Sequence, residues 1–420
     1  MEKYRLNEKE YIEEIDSEAM RLVHEKSGAR VLVLKNANPY KYFNITFMTP
    51  PHNSAGIPHI VEHCVLAGSR KYPLGSYDKL QQSLSVGYIG AATCNDHTQF
   101  SFMTKNDSDY AKGLDYILDS VFYPLVMEEE KIFMREGWRF EVIEGEEGQE
   151  FNLNGIVLNE MRACDGDYER RVGERICKRL MPDSVYHHRS GGKSYKIPRC
   201  SYEEIKEFHT KHYKASNAYI FIYGNVELDE TLNILDVYLE NNVGEETVKI
   251  PGTENIKKRI YKKERIHTNR REEHLYCYSC LFDGKLRPQQ ALAFDLMEEE
   301  IELVIETRLS EMGIKGAASC ILAQSGIQDR FEVEFMTDVE NAGKDIYKGI
   351  RGALFDIFDS DEGFRAQLMG KINRYELSFW EKMYKKDTAG EYRQHPIPEK
   401  QGMGRFLQYF YNRRTTQGRS

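Results

Sequence analysis

The chain has 420 residues, 40% of them hydrophobic and 30% charged, with a formal net charge of −9. That length predicts roughly two or three domains, and the composition is that of a folded globular protein, not a disordered or fibrous one. The acidic balance argues against a nucleic-acid surface, and no apolar run approaches the roughly 18 residues that a membrane helix needs.

Residues 1–16 are rich in Glu and lack both an apolar signal core and the Arg- and Ser-rich character of a transit peptide, so a cytoplasmic location is expected. Residues 29–34 alternate as a strand and 44–48 as a second one. Pro50-Pro51 and Gly56-Ile57-Pro58 bracket a loop, after which a helix begins; Pro58 suits a first helical turn, where a missing N–H costs little. That helix carries His59-Ile60-Val61-Glu62-His63. Positions i and i+4 share a helix face, so both imidazoles can reach one metal ion, while Glu62 projects beside it without having to bind. Three protein ligands with one open position describe a catalytic zinc site, and Glu62 is placed to act as its general base.

Further along, 84–92 and 99–103 read as paired strands joined by the polar turn Asn95-Asp96, and 110–126 and 128–141 have helical periodicity. Asn154-Gly155 precedes a short apolar helix, 156–162, with Glu160 near its middle. Ser201 and Glu204 form a capping box for a helix over 202–213, and 217–223 is a buried strand ending at Gly224. Residues 241–268 are polar and highly charged and read as a linker, with Lys257-Lys258-Arg259 and Lys262-Lys263 on a solvated face. Beyond it come a strand (275–282), a long helix (288–312), a strand (329–336) and helices over 341–359 and 362–384. This order repeats that of the first part and suggests a duplicated α+β unit; 387–420 is irregular and polar. The eight cysteines are irregularly spaced and read as reduced thiols, and Cys277-Tyr278-Ser279-Cys280 as thiols buried in a strand.

A zinc held by His59 and His63 alone would bind weakly, so a third ligand must come from elsewhere. His187 and His188 are adjacent, diverge on any regular backbone, and read as surface residues. His209 and His212 have helical spacing, which packing explains equally well. Glu160 is the stronger candidate, because an unpaired carboxylate inside an apolar helix would be costly.

The segments Ala29-Arg30-Val31-Leu32, Phe47-Met48-Thr49-Pro50-Pro51 and G-I-P-H-I-V-E-H-C-V-L-A-G-S-R-K-Y-P from Gly56 to Pro73 resemble the pitrilysin-type metallopeptidases, whose H-x-x-E-H is the inverted-zincin order. Within that family the resemblance is to the presequence-protease and falcilysin branch. Asn154 to Arg162 (N-G-I-V-L-N-E-M-R) resembles the segment that supplies its third, glutamate ligand, and Tyr213 to Gly224 the strand that closes its first domain. The resemblance covers most of residues 20–240 and continues more weakly to about 385. It implies an α+β fold of two related α/β sandwich domains, each an antiparallel-rich sheet packed by helices, together half of a pitrilysin-type clamshell. The expected organisation is a zinc-binding catalytic peptidase domain over 1–245, a linker over 246–265, and a second related α+β domain over 266–420 that is incomplete at its C-terminus.

Carried over by position, the resemblance implies one Zn2+ per chain held by His59, His63 and Glu160, with Glu62 as general base in hydrolysis of unstructured oligopeptides. It also implies an edge strand that pairs with extended substrate, matched here by Ala91, Ala92 and Thr93, with Gly90 where relatives commonly have Asn. Relatives have two halves, and the C-terminal half contributes an Arg and a Tyr that this half-length chain lacks. The chain is therefore expected to be a half that dimerises with itself, a half that needs a separately encoded C-terminal partner, or a truncated product. The alternative to a peptidase is a catalytically incompetent or partner-dependent zinc-binding half-subunit with a structural or regulatory role; neither nucleic acid nor membrane is an expected partner.

Overall fold

Period-two alternation and β-branched or aromatic runs make most of the first two hundred residues' strands: Tyr4–Ile12 (β1), Ser17–His24 (β2), Arg30–Lys35 (β3), Lys41–Met48 (β4), Val86–Thr93 (β5) and His97–Thr104 (β6). A computed structural model of the chain describes residues 2–83, 86–145, 148–244, 248, 274–324, 328–359, 371, 372 and 374, and divides it into two units, Met1–Ile266 and His267–Ser420. In the first unit, Ala218–Gly224 (β9) completes a seven-stranded sheet in the order β1-β2-β3-β9-β4-β6-β5. All neighbours are antiparallel except β3 and β9, so the apolar A-Y-I-F-I-Y segment, supplied late in the chain, fills the middle of the sheet. β5 is the last strand in this order, so among the described residues no further strand pairs with its far side, where the Ile89 carbonyl accepts from the Tyr77 hydroxyl at 3.2 Å.

Helices Ile57–Ala67 (α1), Ser76–Ser83 (α2), Asp107–Phe122 (α3), Glu130–Glu136 (α4), Ile156–Cys164 (α5), Tyr168–Leu180 (α6), Tyr202–His212 (α7) and Leu228–Leu239 (α8) complete this unit. Its core joins Phe43, Ile45 and Phe100 of the sheet to Ile60, Val61 and Leu114 of the helices. Between α4 and α5 the chain makes a two-stranded hairpin, Arg139–Gly145 (β7) and Gly148–Asn154 (β8). The expected helix over 128–141 therefore stops early. Gly137 ends it, and the alternation Phe140, Val142 pairs with Leu153 and Phe151 as strand instead. The capping box at Ser201 and Glu204 is present as expected, the Ser201 hydroxyl accepting from the Glu204 amide.

In the second unit His274–Leu281 (β10), Ala317–Gln324 (β11) and Asp329–Thr337 (β12) form an antiparallel sheet in the order β10-β12-β11, with helices Pro288–Glu311 (α9) and Gly343–Asp359 (α10). Ile301, Ile305 and Leu309 of α9 pack with Val333, Phe335 and Ile350. Both units are thus mixed α+β layers built on antiparallel-rich sheets. Cys277 is exposed rather than buried, because it alternates outward on β10. Among the described residues no helix is long and apolar enough to cross a membrane. The linker over 246–265 lies almost wholly outside the described residues. The same holds for the basic run at Lys257, for the tail over 387–420, and for the helix over 362–384 apart from residues 371, 372 and 374.

Two polar features lock the first unit around α1. Asp119 of α3 is fully buried, and its carboxylate accepts from Ser69 Oγ (2.8 Å), the Lys71 amide (2.8 Å) and the Arg70 guanidinium (3.1 Å). It thereby pins the Gly68–Pro73 segment that follows α1. Replacing Asp119 by Ala would leave these donors unanswered and is expected to cost about 3 kcal/mol, read as a fall in the urea midpoint.

His209 and His212 of α7 are buried, donating to the Val121 carbonyl (2.8 Å) and the Met48 carbonyl (3.1 Å). Burial pushes both imidazoles down to about 4, and the carbonyl contacts offset this only in part. Above pH 6.5 each ring is neutral whether the chain is folded or not, so neither affects stability there. Between 6.5 and about 4 the unfolded chain takes up protons that the folded one refuses, and stability falls, by up to about 1.4 kcal/mol per pH unit for each ring. Urea titrations at pH 7 and pH 5 should show this loss, and His209→Gln, which keeps a donor to Val121, should lessen it. Equal pH slopes in the two proteins would refute the assignment.

Candidate metal centre

Helix α1 starts where Gly56 turns into the left-handed region, with Pro58 in its first turn. A side chain at Gly56 would meet the Gly191 carbonyl at 2.9 Å, so the 189–194 loop can lie across the helix start. Ile57, Ile60, Val61, Cys64 and Val65 face the core, which leaves His59 and His63 together on the flank of the helix. Their rings sit 4.9 Å apart, nearly perpendicular.

The third group arrives from α5. Glu160 Oε2 lies 3.4 Å from His59 Nε2 and 3.6 Å from His63 Nε2. One ligand atom from each of these three residues falls within 4.8 Å of the other two. Bonds of about 2.1 Å at a tetrahedral angle put donor atoms about 3.4 Å apart, so the spacing and the two-imidazole, one-carboxylate donor set suit a zinc ion. The reason for choosing Glu160 needs correcting, however. Its side chain is 46% exposed, so it is not a buried charge seeking a partner but an open one facing the two rings.

The approach of α5 depends on Gly155. A Cβ there would fall 2.2 Å from the Gly137 carbonyl, so only glycine lets the hairpin close at its base and bring the end of α4 beside the start of α5. At the end of α4 sits Glu136, which the sequence reading passed over. It is buried, and its Oε2 is 3.4 Å from Nδ1 of His63. A charged residue closing a short helix gives no local signal of that role.

Electrostatics separates the two rings. Burial pushes His59 down to about 4, with the neighbouring His63 adding to the effect. For His63 burial acts in the same direction, but the Glu136, Glu160 and Glu62 carboxylates outweigh it and the net direction is up. Glu62 is 8% exposed and is pushed up by burial; a 2.6 Å hydrogen bond from Thr93 Oγ1 to its Oε2 opposes this in part.

Thr93 is thus not simply a strand residue. It stands at the end of β5 with its hydroxyl on Glu62, next to Thr98 and, through it, Thr49. Ala91 and Ala92 pair with Phe100 and Gln99 on the inner side of β5 and are half-buried. At Gly90 an ideal Cβ would lie 2.8 Å from the Tyr88 phenol oxygen, the tip of an exposed side chain that can swing aside. The other four candidate histidines stay apart. His187 and His188 lie tilted against each other, 3.8 Å between ring centres, and are half-buried rather than on the surface, while His209 and His212 serve the core.

Residues 199–311 match the family model described as Peptidase M16 inactive domain, a stretch that lies beyond all three residues of the cluster. Protein HypA of Clostridium perfringens is 32% identical over 399 residues, covering 91% of this chain and 40% of that protein. Presequence protease 1, chloroplastic/mitochondrial, of Arabidopsis thaliana is 30% identical over 372 residues, covering 84% of this chain and 34% of its own length. The chain therefore spans well under half the length of these curated relatives. The fold is also that of the peptidase M16 inactive domain from Pseudomonas fluorescens (TM-score 0.62, 14% identity, 94% of this chain and 91% of that one). Pitrilysin is similar over 86% of this chain and 38% of its own (TM-score 0.59, 16% identity). With these likenesses and the H-x-x-E-H helix, the chain belongs to the pitrilysin-type peptidase M16 family, in its presequence-protease-like branch.

Proposed function

We propose that this chain is a zinc-dependent endopeptidase half that cleaves unstructured oligopeptides, with His59, His63 and Glu160 holding one Zn2+ and Glu62 as general base. The observation that carries this reading is the convergence of His59 Nε2, His63 Nε2 and Glu160 Oε2 one helical position away from a buried carboxylate. When bound, zinc supplies Lewis acidity, polarising the scissile carbonyl and lowering the pKa of water at its open position. The chain's own residues do the rest. Thr93 anchors the Glu62 carboxylate, which takes a proton from the attacking water and passes it to the leaving amine. Burial raises the basicity of that carboxylate, which strengthens it as a proton acceptor. The free edge of β5 offers backbone groups to an extended peptide, and the small side chains of Ala91 and Ala92 make little demand on its sequence. Thr93 links the two: the residue that ends the substrate strand also orients the base.

A second reading has one observation in its favour, the match of residues 199–311 to a domain described as inactive. On that reading the chain binds zinc but turns over peptide only when a partner half completes it, whether a second copy or a separately encoded chain.

A quenched unstructured peptide, assayed with zinc content measured in parallel, separates these. The expected outcome is cleavage by the wild type and a loss of about a hundredfold or more in Glu62→Gln, with about one zinc per chain in both. Equal activity in the two proteins would sink the catalytic assignment; no activity in either, with zinc retained, would favour the second reading. Thr93→Val keeps the shape of β5 and the backbone contact to Glu62 but removes the hydroxyl donor. It should lower kcat about tenfold and move the acid limb of the pH–rate profile upward, because the carboxylate loses a bond that favours its charged form. An unchanged acid limb would show that Thr93 does not tune the base.

A further inference from the structure

Helix α5 carries one ligand of the cluster, and its far end is tied by charge to the loop that crosses the start of α1. Ser54 holds one side of that loop: its hydroxyl accepts from the Arg189 amide (3.1 Å) and its carbonyl from the Lys193 amide (2.9 Å). Between these two points Gly191 is wedged against both ligand helices. An ideal Cβ there would lie 3.0 Å from Met161 Sδ of α5 and 3.7 Å from His59 Nδ1 of α1. On the other side of the loop, Arg189 Nη1 lies 3.2 Å from Asp165 Oδ1, and the Ser194 hydroxyl donates to Oδ2 of the same carboxylate. Asp165 caps α5, directly after its last residue, Cys164. Arg189 also reaches α6: its Nε lies 3.6 Å from Glu174 Oε1, while Lys193 Nζ takes the other oxygen at 2.6 Å. The Arg189 side chain is 8% exposed, so the cluster is built around a buried cation.

Burying a guanidinium costs solvation that nearby carboxylates return only in part, so such a cluster is a weak source of net stability. What it supplies is direction. The guanidinium is planar and presents its donors in a fixed fork, so one side chain can face two carboxylates at a set separation, which the point charge of a lysine cannot. Asp165 and Glu160 ride on one helix, and whatever fixes the first against the loop limits how the second can slide or rotate. The start of α5 is located by Gly155 against Gly137, and Arg189 locates its end. Resting on the zinc reading above, we propose that Arg189 is a positioning residue of this centre: by joining the 189–194 loop to Asp165 and Glu174 it fixes α5 relative to α1 and so holds Glu160 opposite His59 and His63. The effect passes through the loop and the helix.

The test is zinc affinity, measured on the full chain by competition with a chromophoric chelator, together with the thermal midpoint of each metal-free protein. The variants are Arg189→Met, which keeps an apolar side chain of similar length, Arg189→Lys, Asp165→Ala and the double variant Arg189→Met/Asp165→Ala. Wild type should bind about one zinc. Arg189→Met and Asp165→Ala should each bind about tenfold more weakly, and the double variant no more weakly than either, because both cut the same link. Arg189→Lys, which keeps the charge and loses the fork, should fall between wild type and Arg189→Met. Cobalt(II) substitution gives a readout that a merely structural role would not move: the visible spectrum should shift in both single variants as the Glu160 side of the site is displaced. Affinities of Arg189→Met and Asp165→Ala both within twofold of wild type, with unchanged cobalt spectra, would overturn the positioning role while leaving the zinc reading intact. Losses that add in the double variant would overturn the link between the two residues. Absence of zinc binding by the wild type would overturn both the role and the zinc reading. Collapse of the metal-free thermal midpoint in Arg189→Met shifts the decision to the half-exposed Asp165→Ala site, where weaker binding with a shifted spectrum supports the role and wild-type behaviour overturns it.

Discussion

A single helix can set two imidazoles one turn apart, but its geometry cannot deliver a third ligand to the same point, and everything around α1 answers to that shortfall. The carboxylate that meets His59 and His63 comes from α5, almost a hundred positions later in the chain, and the contacts that bring it there are close backbone approaches. Gly56 lets the 189–194 loop cross the start of α1, and Gly155 lets the β7–β8 hairpin close against Gly137. Any side chain at either place would push apart the elements that bring these three side chains together. Asp119 holds the far end of the same helix by gathering three donors from the segment that follows it. The centre is therefore braced at both ends of α1, and its accuracy belongs to the whole first unit.

The environment of Glu62 follows from the same packing. The core face of α1 carries Ile60, Val61 and Cys64, so Glu62 is drawn in beside them and loses most of its water. The Thr93 hydroxyl restores part of the lost solvation without supplying a charge and so opposes in part the upward push of burial on this carboxyl. Because Thr93 ends β5, one hydrogen bond joins this edge strand to Glu62.

The likenesses to known proteins divide along the chain in an informative way. The matched inactive-domain stretch, residues 199–311, begins after Glu160 and runs into the second unit, while the cluster sits entirely before it. The second unit, by itself, has a sound core of Ile301, Ile305, Leu309, Val333 and Phe335, and among its described residues no convergent set of ligand atoms. In relatives more than twice as long, the remaining length lies outside what this chain spans. All three candidate ligands lie in the first unit.

By itself the sequence determined whatever is set by near neighbours. The i, i+4 spacing of His59 and His63 on a Pro-led helix, the Ser201–Glu204 capping box, and the buried A-Y-I-F-I-Y strand all depend on local geometry and local hydrogen bonds, and all are found in the fold. It was weaker where the deciding partner is distant. The helix expected over 128–141 gives way to strand after Gly137, because pairing of Phe140 and Val142 with residues of β8 outweighs a helical periodicity that is only marginal. Strands β1 and β2 carry mixed polar and apolar residues whose strand character comes from pairing with each other and with β3. Glu160 was singled out as a charge in an apolar helix, yet it is exposed, and its position opposite the two rings is a matter of how α5 docks. Glu136 had no local mark at all. A carboxylate at a helix end becomes a partner of His63 only when the chain has folded α4 onto α1, and that contact is a property of packing, which no spacing along the chain encodes.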